Sequence, residues 1–315
     1  MLVTRDDFKN LKVQEELSYA SMDNVAHPRD LVGRAMKSRE VALSGVQPPW
    51  SKLQGSFSLR PGELVLAGGY SGMGKSAMLA QWGLHAAASG HPTGFISLEL
   101  PAPFLFDQLA GFSATVDQPP ESYLKEFANW MEDKLYVYDR VDSMTPSEAL
   151  QAVIGMRKFF GCEVVILDCL MMISLSDDLD QEKAFSQSLA AIAKSMGVCI
   201  VLVHHFRKPS GKDGDEKLGT KHDFIGSSHL VNVSSSVIIV HEHKKLTAQR
   251  REGEDPDPSR PDVLISIAKQ RYHRFEGVIG LYIHRNVRLL CNSRTRQYRP
   301  IEIRQQLRER AHEDD

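Results

Sequence analysis

The stretch Gly62-Glu63-Leu64-Val65-Leu66-Ala67-Gly68-Gly69-Tyr70-Ser71-Gly72-Met73-Gly74-Lys75-Ser76 decides the fold. Its apolar run, Leu64 to Ala67, reads as a strand that enters G-x-x-x-x-G-K-S, and a helix is predicted from near Ala77 to Ala88. Strand, glycine-rich turn and helix in that order make a phosphate-binding loop. Glycines 69, 72 and 74 let the backbone turn its N–H groups inward around a triphosphate, and the helix offers its positive N-terminal end to the same charge. Gly69, Ser71, Gly72, Met73, Gly74, Lys75 and Ser76 form the candidate nucleotide cradle. Lys75 adds a point charge at the β- and γ-phosphates, and the Ser76 hydroxyl a ligand for Mg²⁺, so ATP or another nucleoside triphosphate with Mg²⁺ is the expected pair. A structural glycine turn would leave the Lys75-Ser76 pair unexplained.

Outward from the loop, the chain alternates strands and helices, which implies an α/β fold with a mainly parallel sheet covered on both faces. Predicted strands follow at Thr93 to Leu98, ending at Glu99, and at Leu135 to Asp139. Further strands are read at Val164 to Asp168, at Val198 to Val203, at Ser235 to Val240, at Val263 to Arg271 and at Gly277 to Ile283. Pro101 opens a helix carrying Phe104, Leu105, Leu109 and Phe112, and residues 113–133 hold further helix and loop. Thr145-Pro146-Ser147-Glu148 is a capping box with proline in the first turn, starting a helix that Gly161 ends. A helix over 180–196 ends at Gly197, and residues 244–261 read as a charged loop.

Before the loop, residues 1–28 are weakly patterned, and 29–43 form a helix with a narrow apolar stripe that packs either on its own domain or on a neighbouring subunit. The expected division is a tail and linker helix over 1–44, an ATPase domain over 45–300 and a charged tail over 301–315. Four widely spaced cysteines, with no C-x-x-C pair, exclude a zinc ribbon, and Cys169 and Cys199 read as core residues. No apolar run reaches membrane length and no signal-peptide region opens the chain, so a cytoplasmic setting without a membrane partner is expected. At a net charge of −2, nucleic-acid contact must come from local basic patches.

In an open α/β sheet, ligands sit beyond the carboxyl ends of the strands, where Glu99, Asp168 and His204 or His205 converge. Asp168 is placed to hold the Mg²⁺ bound by Ser76. Glu99, read as ending the strand beside the loop, is the candidate general base for an attacking water. His205, one step beyond its strand, is the candidate γ-phosphate sensor, or His204 if the strand ends earlier. Lys269 and Arg271 are two apart on one strand, share a face, and suit insertion into the triphosphate site of an adjacent subunit.

These blocks resemble the hexameric replicative DNA helicases of the DnaB type, and within them the helicase half of phage helicase–primases. The matching residues are Gly69 to Ser76, Ser97-Leu98-Glu99, Val165-Ile166-Leu167-Asp168, His204-His205-Phe206-Arg207-Lys208-Pro209, Asp223-Phe224-Ile225-Gly226-Ser227 and Lys269-Gln270-Arg271, in order across about residues 45–290. The resemblance implies a RecA-like motor domain in a ring of six. ATP would lie between subunits, held by Lys75, Ser76, Glu99, Asp168 and His205 from one and Lys269 and Arg271 from the next. Channel loops would grip single-stranded DNA; a primase, polymerase or loader would be a separate chain, and a phage or plasmid origin fits the phage branch. The segment between His205 and Asp223 carries Arg207, Lys208, Lys212, Lys217 and Lys221 against Asp213, Asp215 and Glu216, with glycines 211, 214 and 219, which suits backbone tracking of a single strand.

Three features depart from the family: Asp223-Phe224-Ile225-Gly226-Ser227-Ser228 lacks the usual arginine, no primase-like segment precedes the motor, and an Arg-rich segment (Arg294, Arg296, Arg299, Arg304, Arg308, Arg310) replaces an acidic tail. Gly226 joins the candidate DNA-binding set by this match. Two other readings share the core: a RecA-fold recombinase or recombination mediator, which would form filaments, and a non-motor nucleotide-binding replication scaffold, which has no need of Glu99, Lys269 or Arg271.

Overall fold

The computed structural model describes residues 25–43, 45–140, 142–175, 179–207, 217–226, 228–284 and 287–294. The chain divides into two units between residues 43 and 44. The first carries helix α1, Pro28–Leu43, whose Leu31, Val32 and Met36 side chains are exposed.

The second unit is built on a nine-stranded sheet. Its strands are β1 Leu64–Gly69, β2 Thr93–Ser97, β3 Leu135–Tyr138, β4 Val164–Asp168, β5 Cys199–His205, β6 Ser236–Glu242, β7 Val263–Gln270, β8 Gly277–Ile283 and β9 Leu290–Cys291. Their order is β3-β2-β4-β5-β1-β6-β7-β8-β9, with β1 to β6 parallel and β7 to β9 antiparallel. Both edge strands are short: β3 has four residues and β9 two.

Among the described residues its α-helices are α2 Lys75–Ala88, α3 Ala102–Ala114, α4 Glu121–Met131, α5 Pro146–Phe160, α6 Leu179–Met196, α7 Ser228–Val233 and α8 Lys244–Arg251. The central strands read as unbroken apolar runs because each feeds two cores. Val65, Val164, Ile166 and Val201 face one cluster with Trp50, Trp82, Phe127 and Trp130, whereas Leu64, Val165, Leu167 and Ile200 face another with Val153, Phe185, Leu189 and Leu230. Burying apolar surface at ~25 cal/mol per Å² on both faces makes these strands the sheet's most stable part.

The capping box at Thr145 is formed: its hydroxyl accepts from the Glu148 N–H at 3.2 Å and Glu148 accepts from the Thr145 N–H at 2.8 Å, while Gly161 closes the helix at φ 68°. Other expectations shift. Helix α2 begins at Lys75 rather than Ala77, since the loop's last residues already take helical geometry. Residues 113–133 resolve into the end of α3 and the whole of α4, and of the apolar residues named on α3, Leu105, Leu109 and Phe112 are buried while Phe104 is exposed. Strand β5 runs through His205, so neither histidine lies beyond it. The start of the expected charged loop is helical, as α8. No helix among the described residues is long and apolar enough to cross a membrane.

Candidate active site

The register of the parallel strands fixes which side chains meet. Gly68 pairs with His204 and Gly69 with His205, so the phosphate-binding turn and the two histidines leave the sheet at the same level. Ser97 pairs with Asp168, and the Leu98 N–H donates to the Asp168 carbonyl at 2.7 Å, which brings Glu99 to the end of β4. The expectation that Glu99 ends the strand beside the loop is corrected: β5 and β4 lie between β1 and β2. Glu99 reaches the site because it stands two residues past β2 and its carboxylate meets Cys169, just after β4, and His205 of β5.

The loop has the features that a bound triphosphate requires. Gly72 and Gly74 sit at φ 73° and 80°, conformations that L side chains rarely adopt. Helix α2 starts with no side-chain cap on its N-terminal N–H groups, which leaves them to an anion. Lys75 is buried, its ammonium donating to the carbonyls of Gly69 at 3.1 Å and Tyr70 at 3.0 Å and lying 3.2 Å from His205 Nδ1. Burial pulls the Lys75 pKa down, against the raising influence of Asp168, Cys169 and Glu99. Met73 is buried, and its Sδ accepts from the Glu242 N–H at 3.4 Å, so it can serve a nucleotide only through its backbone. Ser71 is exposed and its carbonyl accepts from Lys244 at 3.2 Å.

Asp168 and Ser76 are hydrogen-bonded to each other, and burial pushes the Asp168 carboxyl up to about 6. This oxygen pair matches the ligand preference of Mg²⁺. Beside it lies a cavity of about 290 Å³ lined by Ser76, Glu99, Asp168, Leu79, Phe95 and Ile166.

Glu99 is exposed over 47% of its side chain, open to water, and lies 3.7 Å from His205 Nε2. Burial first and Lys75 second hold His205 below the usual histidine range. Neutral, with Nδ1 accepting from Lys75, the ring turns an Nε2–H toward Glu99. Lys75, His205 and Glu99 thus form a continuous polar chain across three strands.

Sequence reasoning missed four residues around this site. Cys169, taken as core, donates its thiol to Glu99 Oε1 at 2.8 Å, and burial pushes the thiol up to about 12. Lys244 and Glu242 brace the loop from β6 and α8, and Arg288 pairs with Glu242 at 2.6 Å. The available signal was position: Cys169 directly follows a strand-ending carboxylate.

Lys269 and Arg271 do share a side, but among the described residues they turn to α7 rather than to the Lys75 site. Lys269 Nζ donates to the carbonyls of Val231 at 2.6 Å and Ser234 at 2.8 Å, and Arg271 to that of Asn232 at 2.5 Å. Burial, with Arg271 nearby, pulls Lys269 down to about 8.

Of the candidate DNA-binding residues, Arg207 donates to the Gly226 carbonyl at 3.0 Å, and Lys217 and Lys221 are exposed. Lys208, Lys212, the glycines 211 and 214 and the acids 213, 215 and 216 lie outside the described residues, as do Ser227 and the arginines from 296 onward. Arg294 pairs with Asp255. Arg207, Lys221, Phe224, Gly226 and Lys269 line a cavity of about 280 Å³.

The loop 217–226 is tied to the nucleotide end of the sheet. Phe206 and Phe224 form a bridge, the Ile225 N–H donates to the His205 carbonyl at 3.1 Å and the Arg207 N–H to that of Asp223 at 2.8 Å. The Phe206 ring meets Phe224 and Tyr70 edge-on, at 4.8 and 5.4 Å between centroids.

Comparison with known proteins agrees with this geometry. The DNA helicase/primase of Enterobacteria phage T3 is 26% identical over 277 residues, covering 80% of this chain and 46% of that protein, so the chain spans about half the length of this relative. A solved ATPase domain superposes with a TM-score of 0.68 at 15% identity, covering 87% of this chain and 99% of that one. A DnaB-like replicative helicase, solved to show its interactions with primase, gives 0.68 at 14% identity, with 86% and 69% covered. The fold is therefore the RecA-like ATPase fold of DnaB-like helicases, as the six sequence blocks imply. The AAA domain family matches residues 34–211, and over that span, more than half of its length, the chain belongs to this family.

Proposed function

We propose that this protein is an ATP-driven motor on single-stranded DNA, a replicative DNA helicase working as a ring of six with hydrolysis at the interfaces between copies. The observation that carries the reading is the polar chain from Lys75 through His205 to Glu99, continued by the main-chain bonds from His205 to the loop 217–226. A triphosphate at Lys75 and a strand at that loop would act on the same imidazole and the same strand end.

In this reading the N–H groups of Gly72 and Gly74 and the start of α2 hold the phosphates, Lys75 offsets their charge, and Ser76 with Asp168 holds Mg²⁺. Mg²⁺ when bound neutralises charge on the transferring phosphoryl group. Glu99, reached by solvent, accepts the proton of the attacking water. Lys269 and Arg271 of one copy serve the site of the next, and α1, with Leu31, Val32 and Met36 exposed, packs on a neighbour. Arg207, Lys208, Lys212, Lys217, Lys221 and Gly226 track the DNA backbone; priming and loading fall to separate chains, inside a bacterial or phage-infected cell.

The similarity to a phage helicase/primase supports this choice among nucleotide-driven activities. The test is ATP hydrolysis with and without single-stranded DNA, together with unwinding of a forked duplex. Stimulation by the single strand and loss of turnover in Glu99→Gln with retained ATP binding are expected. No stimulation and no unwinding would sink the reading.

A further inference from the structure

Cys169, just after β4, His205, at the end of β5, and Glu99, two residues after β2, bring a sulfur, a nitrogen and an oxygen together. Their ligand atoms all lie within 4.8 Å of one another; Cys169 Sγ is 2.8 Å and His205 Nε2 3.7 Å from Glu99 Oε1. Ligands around a tetrahedral zinc ion stand about 3.4–3.6 Å apart, as follows from metal–ligand distances of about 2.0–2.3 Å. The two separations to Glu99 bracket that spacing and the third lies within 4.8 Å, so side-chain shifts of up to about 1 Å would complete it. One thiolate, one imidazole and one carboxylate form a set that Zn²⁺ accepts readily and Mg²⁺ does not, because Mg²⁺ demands oxygen ligands.

We infer that Cys169, His205 and Glu99 form a binding site for a thiophilic divalent cation, zinc, separate from the Ser76–Asp168 pair that suits Mg²⁺. Glu99 is exposed over 47% of its side chain and lines the adjoining cavity, which gives the ion an entry path and a fourth position for water. The surroundings favour a cation on balance: Asp168 is the next residue to Cys169, while the opposing charge is Lys75. Its ammonium faces Nδ1 of His205, not Nε2, and already holds the carbonyls of Gly69 and Tyr70 as alternative partners. Zinc here occupies the carboxylate that the proposed function assigns to the attacking water. On that reading, which this consequence alone rests on, zinc stops turnover without blocking the phosphate loop.

The experiment titrates Zn²⁺ into metal-free full-length protein, without nucleotide or Mg²⁺, against a chromophoric chelator. Expected are one equivalent per chain and at least a tenfold weaker affinity in Cys169→Ser and in His205→Gln, with Cys291→Ser unchanged. Unchanged affinity in Cys169→Ser would overturn the assignment, because it would place the ion on Asp168 or elsewhere. Co²⁺ added to the wild-type chain gives a second readout that survives any failure of the variants to fold: a thiolate-to-cobalt charge-transfer band supports the site and its absence overturns it. Zinc inhibition of ATP hydrolysis, compared with each protein's own zinc-free rate, should vanish in Cys169→Ser. A chain that hydrolyses ATP but binds no zinc overturns this inference alone, and one that binds zinc but never hydrolyses ATP overturns only the proposed function.

Discussion

Replacing Gly68 by alanine tests how the phosphate loop is joined to the loop 217–226. Gly68 lies in the middle of the sheet, and a Cβ there would fall closer than 3.0 Å to Cζ and Cε1 of Phe224 and 2.9 Å from Cε1 of Phe206. Both rings are buried, at 4% exposure, so neither can swing into solvent without losing its packing. The overpacking should cost about 1–3 kcal/mol. Phe224→Ala alone should cost about 3–5 kcal/mol through the cavity it leaves. Once the ring is gone, the two shortest contacts vanish and only Phe206 Cε1, at 2.9 Å, is left to yield, while alanine in a strand is worth about 0.5–1 kcal/mol over glycine. Gly68→Ala should therefore cost little in the Phe224→Ala background, giving a coupling of about 1–3 kcal/mol in a double-mutant cycle. Urea unfolding at constant m-value measures each corner. Hydrogen exchange at the Arg207 and Ile225 amides, which carry the bridge, should rise in Gly68→Ala. Additive costs, or a Gly68→Ala chain as stable as the parent, would refute the idea that these rings couple the two loops.

Asp168 gives a pH signature. Its folded carboxyl sits at about 6 against an ordinary 3.8, so the folded chain holds the proton longer than the unfolded one. Stability should then fall as pH rises from about 4 to about 6 and level off above; Asp168→Asn should remove that contribution, and Mg²⁺ affinity should drop as pH falls below about 6. Gly226 stands at φ 83° with the Glu182 carboxylate where a Cβ would go, so Gly226→Ala should cost about 1–3 kcal/mol, partly restored by Glu182→Ala in thermal melts. Arg271→Ala should cut ATP turnover by at least about 10³-fold if the residue serves a neighbouring site. Doping it into wild-type protein should lower activity faster than its mole fraction, and a strictly proportional loss would argue against shared sites.

The sequence showed the strands buried on both faces and the loop between them most clearly. Val164 to Asp168 is apolar without interruption because it serves two cores, and Gly69 to Ser76 has few other uses. Sheet order was not legible. Nothing local to Thr93–Ser97 says that two strands separate it from β1, and so Glu99 was assigned to the wrong neighbour although its arrival at the site was expected. Helix α8 buries only Leu246 and Thr247, too few to mark a stripe among charges. Cys169 looked like filler because its partner, Glu99, comes from 70 residues earlier. The alternation of Lys269 and Arg271 correctly placed them on one side, but the α7 carbonyls they meet belong to a separate element.

The sheet's two borders carry a consequence for how copies can associate. With four residues, β3 offers only a short run of amides and carbonyls to another chain, whereas β9 covers only Tyr282 and Ile283 and leaves the outer edge of β8 from Gly277 to Leu281 without a strand partner among the described residues. Any association along the β3 border is therefore left to side chains and helices, contacts that can be broken and remade without unzipping the backbone of the sheet.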